Sequence, residues 1–194
     1  MGKLVKLIGT LFIVGGLALL LFLYFPLLKE EIIYRSRIPL QKEEKENIEP
    51  VSKDFGLVIP KININTKVFA DVDANNPDEY LPLLIEGVAH SKGSSFPFES
   101  GNVFIFAHSS DTPFNILRYN AVFYLIDKLE ENDEIIIFYN GDEYLYKVKN
   151  KKIVHPEFLG DYIEKIGGDN LILQTCSPPG TTINRLLVTA RAVD

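Results

Sequence analysis

Cys176, the only cysteine among 194 residues, closes the run Leu171-Ile172-Leu173-Gln174-Thr175-Cys176, and Arg185 follows beyond a Pro-Pro-Gly turn. A structural thiol needs only apolar neighbours. A nucleophilic thiol also needs positive charge to favour the thiolate and a group that manages the proton. Arg185 can supply the charge, and His108, at the end of the apolar run Val103-Phe104-Ile105-Phe106-Ala107, can manage the proton. A cysteine in an apolar segment is more often core than catalyst, but its neighbours here suit function better than packing. If residues 171–175 form a strand, alternation sets Ile172, Gln174 and Cys176 on one face. If 185–193 forms an antiparallel partner, Cys176 and Arg185 begin and end one connection, and both side chains reach the same outer groove.

These residues resemble the sortase family, whose signature is a TLxTC strand end, an Arg opening the next strand and an upstream His. Leu173-Gln174-Thr175-Cys176 and Arg185 match, and Ile172 replaces the first Thr of the signature. Gly101-Asn102-Val103-Phe104-Ile105-Phe106-Ala107-His108 is similar to the family's GN-apolar-GH segment, with Ala107 where Gly is usual. Ile59-Pro60-Lys61-Ile62, Gly87-Val88-Ala89-His90 and Asn132-Asp133-Glu134-Ile135 follow the family's order, so the resemblance covers 55–194.

The resemblance implies a mainly β fold, a sortase-like closed β-barrel with a few short helices. It implies peptide-bond chemistry through a thioester on Cys176, with His108 as acid and base and Arg185 holding the substrate backbone or the oxyanion. The implied substrate is an LPxTG-like sorting signal of a surface protein, cut after Thr. The implied acceptor is an amine of a peptidoglycan precursor or a pilin. Thr175, His90 and Ser109 are the expected substrate-binding residues. His90 is read as a groove-wall or loop residue and not as the acid; His155, before Pro156, is read as structural. About 22 residues separate Lys149 from Ile172, too few for the class B helical insertion, and no Asp-Pro-aromatic lid motif precedes the barrel. A housekeeping or a class D or E-like enzyme remains, and the class D or E-like reading is the favoured one.

Other chemistries fit less well. A net charge of −6 argues against nucleic acid as partner. One cysteine allows no intrachain disulfide and no CxxC metal site, and the three histidines are not at close ligand spacing, so no metal and no cofactor are expected. Asp71, Asp73, Asp78 and Glu79 could be taken for a calcium site but read as a solvated loop. Papain-like proteases place the His after the Cys, and no His follows Cys176. The Ser-His-Gly-Cys signature of L,D-transpeptidases is absent. The alternative from another class is a membrane-anchored binding or assembly module that keeps the barrel without turnover.

The elements that must carry these residues can be outlined. Apart from Lys6, residues 4–28 are apolar, and the unbroken part 7–28 spans about 33 Å as a helix at ~1.5 Å per residue, enough for a ~30 Å hydrocarbon core. Bulky residues at Leu21-Phe22-Leu23-Tyr24-Phe25-Pro26 leave no signal-peptidase site, so 1–28 is expected to be an uncleaved single-pass transmembrane anchor. Basic residues flank it on both sides; the family resemblance implies the N-terminus inside and the catalytic domain outside the cell membrane. Residues 29–54 are expected to be a charged linker, and 55–194 the catalytic domain. Strands are expected at 55–59, 62–69, 102–107, 134–139, 143–149, 171–175 and 185–193, with Asn140-Gly141-Asp142 turning a hairpin and a helix near 120–128. The pattern itself favours a closed barrel.

Overall fold

In the computed structural model, which describes residues 2–37, 48–109 and 122–193, the alternating runs become strands. They are β1 (Phe55–Ile59), β2 (Ile64–Val72), β3 (Val88–Ser91), β4 (Val103–Phe106), β5 (Glu134–Tyr139), β6 (Asp142–Val154), β7 (Asn170–Ser177) and β8 (Asn184–Ala192). They close into a ring in the order β1-β2-β3-β4-β7-β8-β6-β5, with β5 paired back onto β1. The expected mainly β closed barrel is the observed fold. Two pairings are parallel, β2 with β3 and β4 with β7, and the rest are antiparallel.

Alternation sorts the side chains between two cores. Leu57, Ile59, Ile105, Ile135, Ile137, Leu171, Leu173 and Val188 fill the barrel interior. On the outside, Val154, Ile172 and Leu187 form a second cluster, covered by Leu159, Tyr162, Ile163 and Ile166 of the helix Leu159–Ile166. A shorter helix, Pro77–Leu83, seats Tyr80 edge-on against Phe106 at 5.9 Å. The Ile at position 172, a departure from the family signature, is a fully buried member of the outer cluster.

Several boundaries differ from expectation for local reasons. Pro60–Ile62 forms a 3-10 turn that ends at Asn63 in the left-handed region (φ 56°), so β2 starts at Ile64 and not at 62. β6 outruns 143–149 because it pairs with β5 over its first half and with β8 to its last residue, Val154. Of the helix expected near 120–128, the described residues contain one 3-10 turn, Ile126–Lys128; 120–121 lie outside the described residues. Asn140 (φ 52°) and Gly141 (φ 91°) both take the left-handed conformation that a tight two-residue hairpin demands, as expected.

The N-terminal helix α1 runs from Gly2–Arg37 without a break, past the expected anchor end at 28. Leu11, Phe12 and Leu21 on it are 71%, 75% and 63% exposed, so protein packing does not cover these apolar side chains. Among the described residues no helix is long and apolar enough to cross a membrane. The side chains of 22–24 and 26–28 in the expected span are not among those described. Much of the expected linker, 38–47, also lies outside the described residues. Its last residues are tied to the barrel: the Val51 amide donates to Asn65 Oδ1 (2.8 Å), and Asn140 and Gly141 donate to the carbonyls of Asp54 and Lys53 (2.9 Å each).

The parallel β4–β7 pair is latched where its strands begin. Asn102 Oδ1 accepts from both the backbone and side-chain amides of Asn170 (3.1 Å each), while Asn102 Nδ2 donates to the Gly167 carbonyl (2.8 Å). Gly101 donates to Asp169 Oδ1 (2.8 Å) and accepts from the Asp169 amide (3.0 Å). Gly101 holds φ 119°, and a Cβ there would meet Ser95 Oγ at 2.3 Å, so this turn needs glycine. Asn102→Ala removes three hydrogen bonds and is expected to lower stability by about 2–3 kcal/mol in denaturant unfolding. A loss under about 0.5 kcal/mol would show that the latch does not hold the pair.

Candidate active site

Register builds the site. Each β4 residue pairs with the residue 68 later in β7: Val103 with Leu171, Phe104 with Ile172, Ile105 with Leu173 and Phe106 with Gln174. The same offset continues past β4, where the Ala107 amide donates to the Gln174 carbonyl (3.1 Å) and the Thr175 hydroxyl donates to the Ala107 carbonyl (2.9 Å). One further step sets His108 level with Cys176. Parallel partners share a face, so Cys176 follows Ile172 on the outward row of β7 and Thr175 is buried on the other face, with Ser109 beside it on the wall of the cleft. On the other side of β7, the antiparallel register sets Cys176 directly opposite Arg185.

Each side chain has a defined setting. Cys176 is a free, half-buried thiol. His108 is half-buried with Nε2 out of solvent, and its carbonyl accepts from the Phe123 amide (3.2 Å), which ties the segment from residue 122 onward to the end of β4. Arg185 Nη1 donates to the carbonyls of Thr182 (3.0 Å) and Asn184 (3.2 Å), holding the guanidinium against the turn between β7 and β8. Ala107, the other departure from the family motif, is buried with its methyl in the interior core, between the two backbone bonds to β7.

A cleft of about 270 Å³ opens beside Cys176 at this end of the barrel. Apolar walls come from Phe123, Leu125, Ile153 and Leu186, with Thr175 and Ser109 on its β7 and β4 sides. Asp127 and Lys128 also line it and pair with each other (3.2 Å). The residues 122–128 had no site signal in the sequence beyond a short apolar run. Only the long-range pairing brings them beside the thiol.

Of the expected substrate-binding residues, the structure brings Thr175 and Ser109 to the cleft and keeps His90 away from it. His90 is fully buried in β3, paired with Ile105 and stacked on Phe96 at 4.6 Å. The Asp71 amide donates to its Nδ1 (3.3 Å), which assigns the neutral Nε2–H tautomer; Nε2 then faces the Ser95 carbonyl (3.1 Å) and Ser94 Oγ (2.9 Å). Asp71 (φ 54°) sits at a β-bulge in β2, which aims that amide inward. His90 thus fastens the loop before β4. His155 is exposed beside Glu157 (3.5 Å). Glu79 accepts from the Asp73 amide (3.1 Å), so two of the acidic residues fold a turn. Among the described residues, no three His, Cys, Asp or Glu side chains gather as a metal site.

Comparison with known proteins agrees with this architecture. The sortase domain family model matches residues 57–193. Sortase D of Bacillus subtilis (strain 168) is 28% identical over 122 residues, 63% of this chain and 53% of its own length, so the chain spans about half of that relative. Sortase C-1 from Actinomyces oris superposes with a TM-score of 0.59 at 26% identity, covering 87% of this chain and 85% of that one. A lid mutant of sortase A from Corynebacterium diphtheriae gives 0.58 at 25% identity, covering 80% and 77%.

Placing His108 level with Cys176 generates a direct test. Alkylation of native protein by iodoacetamide near neutral pH, followed by mass, is expected to slow at least several-fold in His108→Ala, with equal rates for both proteins in denaturant. Equal native rates would mean that His108 does not act on the thiol.

Proposed function

The chain belongs to the sortase family, and on that footing we propose that it is a cysteine transpeptidase with Cys176 as nucleophile, His108 as acid and base, and Arg185 as electrostatic clamp. The observation that carries this reading is the register around the end of β7, which sets Arg185 directly opposite Cys176 on one side and, extended two residues past its last β4 pair, brings His108 level with Cys176 on the other.

In the proposed reaction the Cys176 thiolate attacks a peptide carbonyl of a bound sorting signal, an LPxTG-like segment cut after Thr. The C–N bond breaks, the departing amine takes a proton from His108, and the acyl group remains on sulfur as a thioester. The acceptor amine, from a peptidoglycan precursor or a pilin, then attacks that carbonyl and gives a proton to His108 as the thiolate leaves. Arg185, permanently charged and planar, holds the substrate backbone or the tetrahedral oxyanion. Its fixing by two turn carbonyls supports a preset position. Thr175 and Ser109 are the proposed substrate contacts on the cleft wall.

The proposed organisation is an anchor at 1–28, a linker at 29–54 and the catalytic domain at 55–194, in a class D or E-like enzyme. The run 7–21 of α1 is without charge, and its described large apolar side chains, among them Leu11, Phe12 and Leu21, are exposed and call for an apolar surrounding. This supports a single pass through the cell membrane, with the N-terminus inside and the barrel outside. Tethering would hold the enzyme beside membrane-bound substrates and lipid-linked acceptors.

Two outcomes test the reading. Cys176→Ala and His108→Ala are expected to abolish cleavage of a sorting-signal peptide at near wild-type stability, and Arg185→Lys to lower kcat/KM by about 10²-fold, since Lys keeps the charge and loses the fork. Full cleavage by Cys176→Ala would remove the nucleophile. Adding amine acceptor is expected to divert product from free acid to amide, read by mass; wholly hydrolytic product with cell-wall and pilin-type amines would make the protein a protease instead.

A further inference from the structure

The proposed chemistry leaves one polar atom in the cleft unexplained. Ser109 is 1% exposed, and its Oγ has no hydrogen-bond partner. Among the described residues, it is the one buried side-chain oxygen without a partner that lines the cleft beside Cys176. Neighbouring polar groups do not stand in for it: the Thr175 hydroxyl donates to Ala107, and Asp127 pairs with Lys128.

Its place in the cleft decides what it can meet. Ser109 lies three residues past the end of β4 and lines the cleft together with Thr175 and Cys176, with its hydroxyl buried. A group meeting Ser109 there is therefore a side chain inserted past the thiol and not the reacting carbonyl. The cleft, about 270 Å³, is below the range of ~300–1,000 Å³ typical of small-molecule pockets and suits a short side chain. Phe123, Leu125 and Leu186 on the same cleft offer that side chain apolar contact.

We propose that Ser109 is a specificity residue, whose hydroxyl hydrogen-bonds the side-chain hydroxyl of the residue acylated on Cys176. The inference rests on the transpeptidase reading and extends it to one subsite. A buried polar group left unpartnered in the free protein is satisfied when the correct side chain enters, and remains unsatisfied with an apolar isostere. The device rejects Val in favour of Thr at one position of the peptide, although the two have nearly the same shape.

The test uses the full chain in detergent and four peptides that differ only at the acylated residue: Thr, Ser, Val and Ala. Wild type is expected to favour Thr over Val by at least about tenfold in kcat/KM. In Ser109→Ala that ratio should fall to within about threefold through loss on the Thr and Ser peptides. Thermal stability should stay equal or rise, because the variant deletes a buried hydroxyl that has no partner. A uniform fall across all four peptides, or an unchanged Thr/Val ratio, overturns the assignment of Ser109 while leaving the transpeptidase standing. Cleavage of none of the peptides by wild type would sink both.

Discussion

Two strands far apart in sequence, β4 and β7, lie side by side and parallel, and the alignment between them fixes the rest of the site. Parallel neighbours cannot be joined by a tight turn, so their alignment must be set by contacts. At the start it is the Asn102 and Asn170 side chains with the Gly101–Asp169 pair; at the end it is the Thr175 hydroxyl on Ala107. A slip of one residue would send His108 to the opposite face from Cys176. The glycine and asparagine far from the thiol therefore act as geometry, and the threonine before the cysteine serves first as a clamp between strands.

The surroundings reinforce that alignment from both faces. Inside, Ile105 and Leu173 are fully buried partners in the barrel core. Outside, Phe104 packs against both cores, and Ile172 lies under the helix Leu159–Ile166. Behind β4, buried His90 engages Ser94, whose hydroxyl accepts the Phe104 amide (3.3 Å). The strand that leads to His108 is thus restrained along its whole length, as preorganised groups require.

How far the sequence discloses this depends on the range of the interaction. Cys176 opposite Arg185 is legible because a short turn joins their strands and alternation settles the face. The barrel itself is legible from strands of β-branched and aromatic residues between turn signals. His108 beside Cys176 is carried by motif resemblance alone, since no local pattern specifies a parallel pairing across so many residues. β3 is only four residues long, and the second half of β6, Val-Lys-Asn-Lys-Lys, shows no apolar alternation to mark it as strand. The helix Pro77–Leu83 has a proline inside and no buried residue, and Leu159–Ile166 is too short for periodicity to separate it from a loop. Burial of His90 and Ser109 depends on neighbours from other strands, so residue type and position alone could not tell a filled core site from a cleft wall.

Closure of the ring has a consequence for how a peptide can be recognised. Many proteins bind extended peptides by adding them as one more strand, where main-chain hydrogen bonds give affinity almost regardless of sequence. Here each strand is paired on both sides, from β1 round to β5 and back. Among the described strands none is left as an open edge to template a guest. Binding strength must then come from side chains and from turn backbone at the barrel's end, both of which discriminate by shape and chemistry. The same absence of open edges lets many copies crowd together without zipping into one another.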